Sequence, residues 1–213
     1  MGGSALHPVL ELIRGRVTVE RFDPSRPLSE EQIRSLVRDA TEAPSSFNIQ
    51  HWRFVAVRDP ADKQQLMEVA YGQSQVAEAA VTFIVLGDLH GVDKLPEAMD
   101  LAVRQGALPS EKADAWIEMA SRLYADEQMA RDEAIRSCSL AAMTMMLAAE
   151  AQGLAVSPLV GFDPDQLRER FAVDECYLPV MLLAVGYPAR VEEVRKPRFP
   201  EDAVLAFDRC RRF

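Results

Sequence analysis

The stretch AIRSCSLAAMTMMLAAEAQG, residues 134–153, decides the fold. From Asp132 onward it is apolar on most sides, rich in alanine, leucine and methionine, and it runs to Gly153, a C-cap residue. A helix apolar all round must be buried all round. In a chain of 213 residues that puts it at the centre of the domain, at a subunit interface, or both. Working outward, VTFIVLG (Val81–Gly87) is the clearest buried strand. RFVAV (Arg53–Val57) is a second, closed by Asp59 and Pro60. LAVSPLVGF (Leu154–Phe162) gives a short apolar strand and a turn, and LPVMLLAVGYP (Leu178–Pro188) the last central strand. Three or four strands among dominant helices predict an α+β fold around a small sheet.

The flanking helices are legible from their ends. Pro8–Arg14 has Val9, Leu10 and Ile13 at helical spacing. Ser29 and Gln32 form a capping box before Ile33, Leu36, Val37 and Ala40, and that helix ends near Ala43 and Pro44. A helix after Pro60 carries Leu66, Met67, Val69 and Ala70; another shows Trp116, Ile117, Met119, Ala120 and Leu123 as its apolar face. Asp163, Pro164 and Gln166 read as cap, first and third positions of a helix ending near Phe171. Glycine and proline break the pattern between His90 and Pro109, which predicts a connecting excursion rather than core. Residues 1–7 read as a disordered or tag-like start, and 8–213 as a single domain whose final segment is extended and has nothing to pair with in its own domain.

A formal charge of −9 and a pI near 4.9 argue against nucleic acid and acidic membrane surfaces as partners. Cys138, Cys176 and Cys210 have no paired short spacing, so neither a disulfide framework nor a zinc site is predicted, and a reducing cytoplasmic setting fits. No export signal or membrane span is predicted.

Dinucleotide, P-loop and nucleophile-elbow fingerprints are absent, and His7, His51 and His90 form no ligand pair. A bound organic cofactor is then the expected carrier of any chemistry. EAPSSFNIQHWRFV (Glu42–Val55) sets two hydroxyls and two carboxamides in a loop between a helix end and a strand start. Such a loop suits a phosphate or the polar edge of a heterocycle, and equally a helix-stop turn that satisfies its own backbone. Arg14, Arg16 and Thr18 near one end, and Arg195, Lys196 and Arg198 near the other, are two compact basic spots in an acidic chain. They suit a small anion or are solvated charge runs.

RVTVERF (Arg16–Phe22), APSSFNIQHWRF (Ala43–Phe54), SPLVGFD (Ser157–Asp163) and RKPRFP (Arg195–Pro200) stand in an order that resembles the FMN-dependent nitroreductases. The resemblance runs from about Pro8 onward and is weakest between Gly87 and Asp126. It implies an intertwined homodimer with a mostly antiparallel sheet, two FMN sites at the interface, and the tail of each subunit reaching the other's sheet. It implies that Arg16, Thr18, Lys196 and Arg198 face the FMN phosphate and ribityl chain. Ser45, Ser46 and Asn48 would come from the partner, with Gln50 in the same loop. Gln73 and Gln75 match positions of polar contact to the flavin ring. Pro158, Leu159 and Gly161 shape a turn that sets the Val160 backbone N–H near flavin N5. No side chain is expected to act as a chemical catalyst.

One residue departs from the family pattern. Glu20 stands where many members carry a basic residue near the pyrimidine edge of the ring, a contact that Arg21 could replace. The implied activity is NADH- or NADPH-driven reduction of a small-molecule acceptor, a nitroaromatic or quinone, by ping-pong hydride transfer. A dehydrogenase, dehalogenase or flavin-fragmenting enzyme of the same superfamily, or a non-catalytic flavin-binding dimer, is the alternative. Substrate-facing residues fall in the Leu89–Tyr124 excursion, where Trp116 and Tyr124 are either part of that surface or core.

Overall fold

The structure is a computed structural model, and it describes residues 6–189 and 194–210. Helix α1 (Pro8–Gly15) and helix α2 (Glu30–Ala40) lead into strand β1 (Trp52–Val57). Helix α3 (Pro60–Val69) and the single turn α4 (Gln75–Glu78) precede β2 (Val81–Asp88). Helices α5 (Leu95–Arg104), α6 (Ser110–Leu123) and α7 (Glu127–Ala151) follow. Strand β3 (Ala155–Leu159), helix α8 (Pro164–Arg170) and β4 (Tyr177–Gly186) complete the regular elements. The strands pair antiparallel in the order β1-β2-β4-β3, so this is an α+β fold.

The sheet is buried on both faces. Along β2 the side chains alternate, Val81, Phe83 and Val85 joining one cluster and Ile84 and Leu86 the other, as the two-residue strand period requires. The first cluster packs α2 and α7 on the sheet through Leu36, Ala40, Cys138, Ala141, Ala142 and Met145. The second packs α3 and α8 on the opposite face through Leu66, Val69 and Leu167. Gly87 lets α7 approach closely, because a Cβ there would stand 2.9 Å from that of Ala134.

The capping box at Ser29 is present in both directions, as is the Asp163 cap of α8. Several expectations change. The segment from His90 to Pro109 contains α5, and Leu95 and Met99 are buried in a third cluster with α6. Glycine and proline end this element on either side without preventing it. The long helix is apolar on most sides yet not buried on all: Leu140 is 47% exposed and Met143 lies on the surface with it. Met119 and Leu123 likewise face outward, while Ala113 and Ala120 make the buried contact of α6. At the start of the chain, residues 1–5 lie outside the described residues, whereas His7 accepts from the Val9 amide and caps α1. Among the described residues no helix is long and apolar enough to cross a membrane.

Candidate active site

The two basic spots, distant in sequence, meet. Residues 16–22 run along the outer edge of β3, where Thr18 bridges Val156 and Phe22 bridges Pro188. The segment 194–198 returns to the same place. The Arg195 guanidinium donates to the Ile13 carbonyl at 3.2 Å and to the Arg14 carbonyl, satisfying the exposed end of α1. Arg16, Val17, Thr18, Glu20, Val194, Arg195, Lys196 and Arg198 line a pocket of about 180 Å³. Arg16 donates to Thr18 Oγ1 at 3.4 Å, and Arg198 is folded onto the Lys196 carbonyl at 2.9 Å. Glu20 shares the pocket and sits 3.9 Å from Lys196. Arg21 does not supply an uncommitted charge, because its Nε donates to Glu78 at 3.0 Å. Burial pushes the Glu150 carboxyl above its ordinary range, and the nearby Arg16 partly offsets this.

A polar turn lies beside this edge. The Gln73 side-chain amide donates to the carbonyls of Gly161 (2.8 Å) and Ala70 (3.0 Å), and the Asp163 amide donates to the Val69 carbonyl (3.0 Å). These bonds stitch the 157–163 turn to the end of α3. Tyr71 and Gly72, both at positive φ, let the chain reverse there. Ser157 and Leu159 are buried and Pro158 partly so, while Val160 is 77% exposed at the tip. Gln75 opens α4 nearby in the chain. The Asp163 carboxyl is held below its ordinary range by its bonds from Gln166 and Asp165.

The loop 44–50 is the most contorted segment. Phe47, Asn48 and Gln50 all adopt positive φ, at a cost of order 1 kcal/mol or more each that the surroundings must offset. The Gln50 amide donates to Ser45 Oγ at 2.9 Å, and the Tyr124 hydroxyl donates to Ser46 Oγ at 2.7 Å. The Ser46 amide reaches Glu133 at 3.4 Å, whose same oxygen accepts from Ser137 at 2.9 Å. Phe47 meets Trp116 and Tyr124 edge-on, and the buried His51 also packs edge-on against Tyr124. His51 Nδ1 stands 2.8 Å from the Asp88 carbonyl, so it carries the proton there.

Arg16, Thr18, Lys196 and Arg198 are therefore brought together around one pocket, and Gln73 joins the Pro158–Gly161 turn on the same side of the molecule. Ser45, Ser46, Asn48 and Gln50 are not brought to them. Their loop enters β1, and β1 and β3 are opposite edges of the sheet. Glu133, and the part Tyr124 plays in holding that loop, are not legible in the sequence. Both lie far along the chain from the loop, and only the 78-residue closure between Tyr124 and Ser46 reveals them.

Known proteins agree with this architecture. The sequence model described as "Nitroreductase family" matches residues 13–187. The chain is 35% identical to "Putative NAD(P)H nitroreductase YodC" of Bacillus subtilis over 83% of its length and 88% of that protein. It is 33% identical to "NADH dehydrogenase" of Thermus thermophilus, covering 84% and 86% of the two chains. A nitroreductase-type protein of Exiguobacterium sibiricum, crystallised in complex with FMN, superposes with a TM-score of 0.88 at 28% identity, covering 97% of this chain and all of that one. The chain belongs to the nitroreductase family of oxidoreductases.

Proposed function

We propose that this chain is an FMN-dependent NAD(P)H oxidoreductase that works as a homodimer and reduces nitroaromatic or quinone-type acceptors. The observation that carries the reading is the basic pocket. Two segments about 180 residues apart converge to make a small cationic cradle in a protein of charge −9. Its volume and its guanidinium, ammonium and hydroxyl donors fit a phosphate. The named FMN complex of a relative with the same fold supports FMN as the owner of that phosphate. The names of the curated relatives support a reduced nicotinamide as electron donor.

Bound there, FMN would supply the hydride-accepting and electron-transferring chemistry between a reduced nicotinamide and the acceptor. The chain's own part is to hold and orient. Arg16, Thr18, Lys196 and Arg198 neutralise the phosphate. Gln73 fixes the 157–161 turn so that the Val160 backbone amide can donate to the ring, a role indifferent to the valine side chain. Micromolar to nanomolar binding requires about 8–12 kcal/mol. Three or four charge-assisted bonds at roughly 1.5–3 kcal/mol each, with burial of the ring, are of that size before ordering costs. Nicotinamide and acceptor share one cleft in turn, so steady-state lines are parallel.

A second copy completes the site in this reading, because the 44–50 loop and the basic pocket occupy opposite sheet edges of one chain. The outer edge of β1 has no strand partner among the described residues. Beside it, Ile33, Val37, Ala56, Arg58, Glu30 and the ion-paired Arg34 and Arg38 line a groove of about 390 Å³. The segment 199–208 has the complementary character: Phe199 and Phe207 are about 80% exposed and alternate with Glu201, Asp202 and Asp208. We place that segment of one copy against the β1 edge of the other.

The test is a visible spectrum of the purified protein after reconstitution with FMN, followed by anaerobic NADPH. A flavin spectrum that bleaches rapidly supports the reading. A colourless protein that takes up no FMN overturns it. Flavin that binds but stays oxidised would instead indicate a binding module, which the carboxylate of Glu20 inside the pocket favours.

A further inference from the structure

We infer that Tyr124 is a positioning residue that presets Ser46 as a hydrogen-bond donor, as the Gln50 amide presets Ser45, so that the ligand atoms the pair meets are unprotonated oxygens or nitrogens. This rests on the reading above, in which the 44–50 loop contacts the flavin. The argument is one of hydrogen-bond polarity. A backbone N–H can only donate, so the Gln50 amide at 2.9 Å uses Ser45 Oγ as an acceptor. A phenol is far more acidic than an aliphatic alcohol, so in the 2.7 Å Tyr124–Ser46 bond the phenol donates and Ser46 accepts. Each serine oxygen thus has a lone pair engaged by the protein. Neither hydroxyl proton has an acceptor among the described residues. Accepting a bond strengthens a hydroxyl as a donor. The Ser46 amide is itself engaged by Glu133, which leaves the hydroxyl as that residue's donor to a ligand.

Tyr124 is built for this and nothing more exposed. Its ring packs edge-on against both Phe47 and His51, and burial pushes its phenol above the ordinary tyrosine range, so it remains a neutral donor across the physiological range. The loop it holds carries three left-handed non-glycine residues, a conformation that depends on outside support.

The test is a double-mutant cycle of Tyr124→Phe and Ser46→Ala, read as the FMN dissociation constant by flavin fluorescence. Each single change weakens binding about 3- to 10-fold. The double variant is no weaker than Ser46→Ala alone, because the phenol acts only through the serine. Penalties that multiply, or wild-type affinity in Tyr124→Phe, overturn the inference. Ser46→Thr, which keeps the hydroxyl, restores the sensitivity to Tyr124→Phe. A second measurement needs no flavin. In the apoprotein, amide exchange at Ser46 and Gln50 accelerates at least about tenfold in Tyr124→Phe while β2 and α7 amides keep their protection. Unchanged loop exchange overturns the inference. Failure of the wild-type protein to bind FMN instead overturns the proposed function.

Discussion

Glu20 lines the basic pocket and Glu150 lies near Arg16 outside it, and the two carboxylates make different demands on the chain. Glu20 competes for Lys196, 3.9 Å away, and opposes any anion that enters. Glu20→Gln should tighten FMN binding about two- to fivefold, the scale of a partly exposed ion pair, with the gain shrinking at high salt. Fluorescence titration at two ionic strengths checks it; weaker binding would show that the carboxylate helps to hold the ring. Glu150 is half-buried, and its raised pKa means that the folded state holds the proton more tightly than the unfolded chain. Such a group costs stability once it ionises, and the cost vanishes below the ordinary carboxylate pKa, where both states are protonated. Glu150→Gln should therefore raise the melting temperature at pH 7, and the gain should disappear toward pH 4. A gain that grows on acidification would contradict the assignment.

At the level of elements, the ends of helices are where residue identity and structure agree best. Ser29 accepts from the Gln32 amide, and the Gln32 side chain accepts from the Ser29 amide, at 3.2 and 2.9 Å. Ser29→Ala should cost about 1 kcal/mol, measured by chemical denaturation. Strands β2 and β4 were legible because runs of apolar residues with no charge can only be buried on both faces. Helix α5 was not. Its amphipathic pattern is one turn of burial at Leu95 and Met99, too short a signal against Gly91, Pro96 and Gly106. The site divides the same way. Short-range motifs located Arg16, Thr18 and Arg198, and chain topology alone shows that the basic pair converges while the serine loop lies across the sheet. Tyr124 is a candidate of the excursion, but no local pattern could have announced its hold on Ser46 or that of Glu133, contacts 78 and 87 residues away.

On the scale of the whole molecule, apolar side chains of the 199–208 segment and the outward residues Leu140 and Met143 of α7 lie on the surface of the single chain. Removing everything after Arg198 should leave a folded monomer that retains its pocket residues. In the dimer reading, sedimentation should show half the mass of the full chain, and FMN affinity should fall about tenfold or more as the partner's loop contacts are lost. A truncated protein that stays dimeric would move the interface elsewhere.

The third cluster, built from Ile49, Leu95, Met99, Ala113, Ala120, Tyr124 and Ala130, stands apart from the two that sandwich the sheet. It is tied to the main body by apolar packing of Phe47, Ile49 and Ala130 and by polar bonds: the buried Asp88 carboxylate gripping Arg53 at 2.7 Å and Lys94 at 3.3 Å, and the Tyr124 hydroxyl on Ser46. The region from His90 to Tyr124 is in that sense a cassette clipped onto the flavoprotein chassis. In the proposed reading it is the part of the chain whose contents set which oxidant is accepted, so changes there should alter acceptor preference so long as the clips at Asp88 and Ser46 are kept.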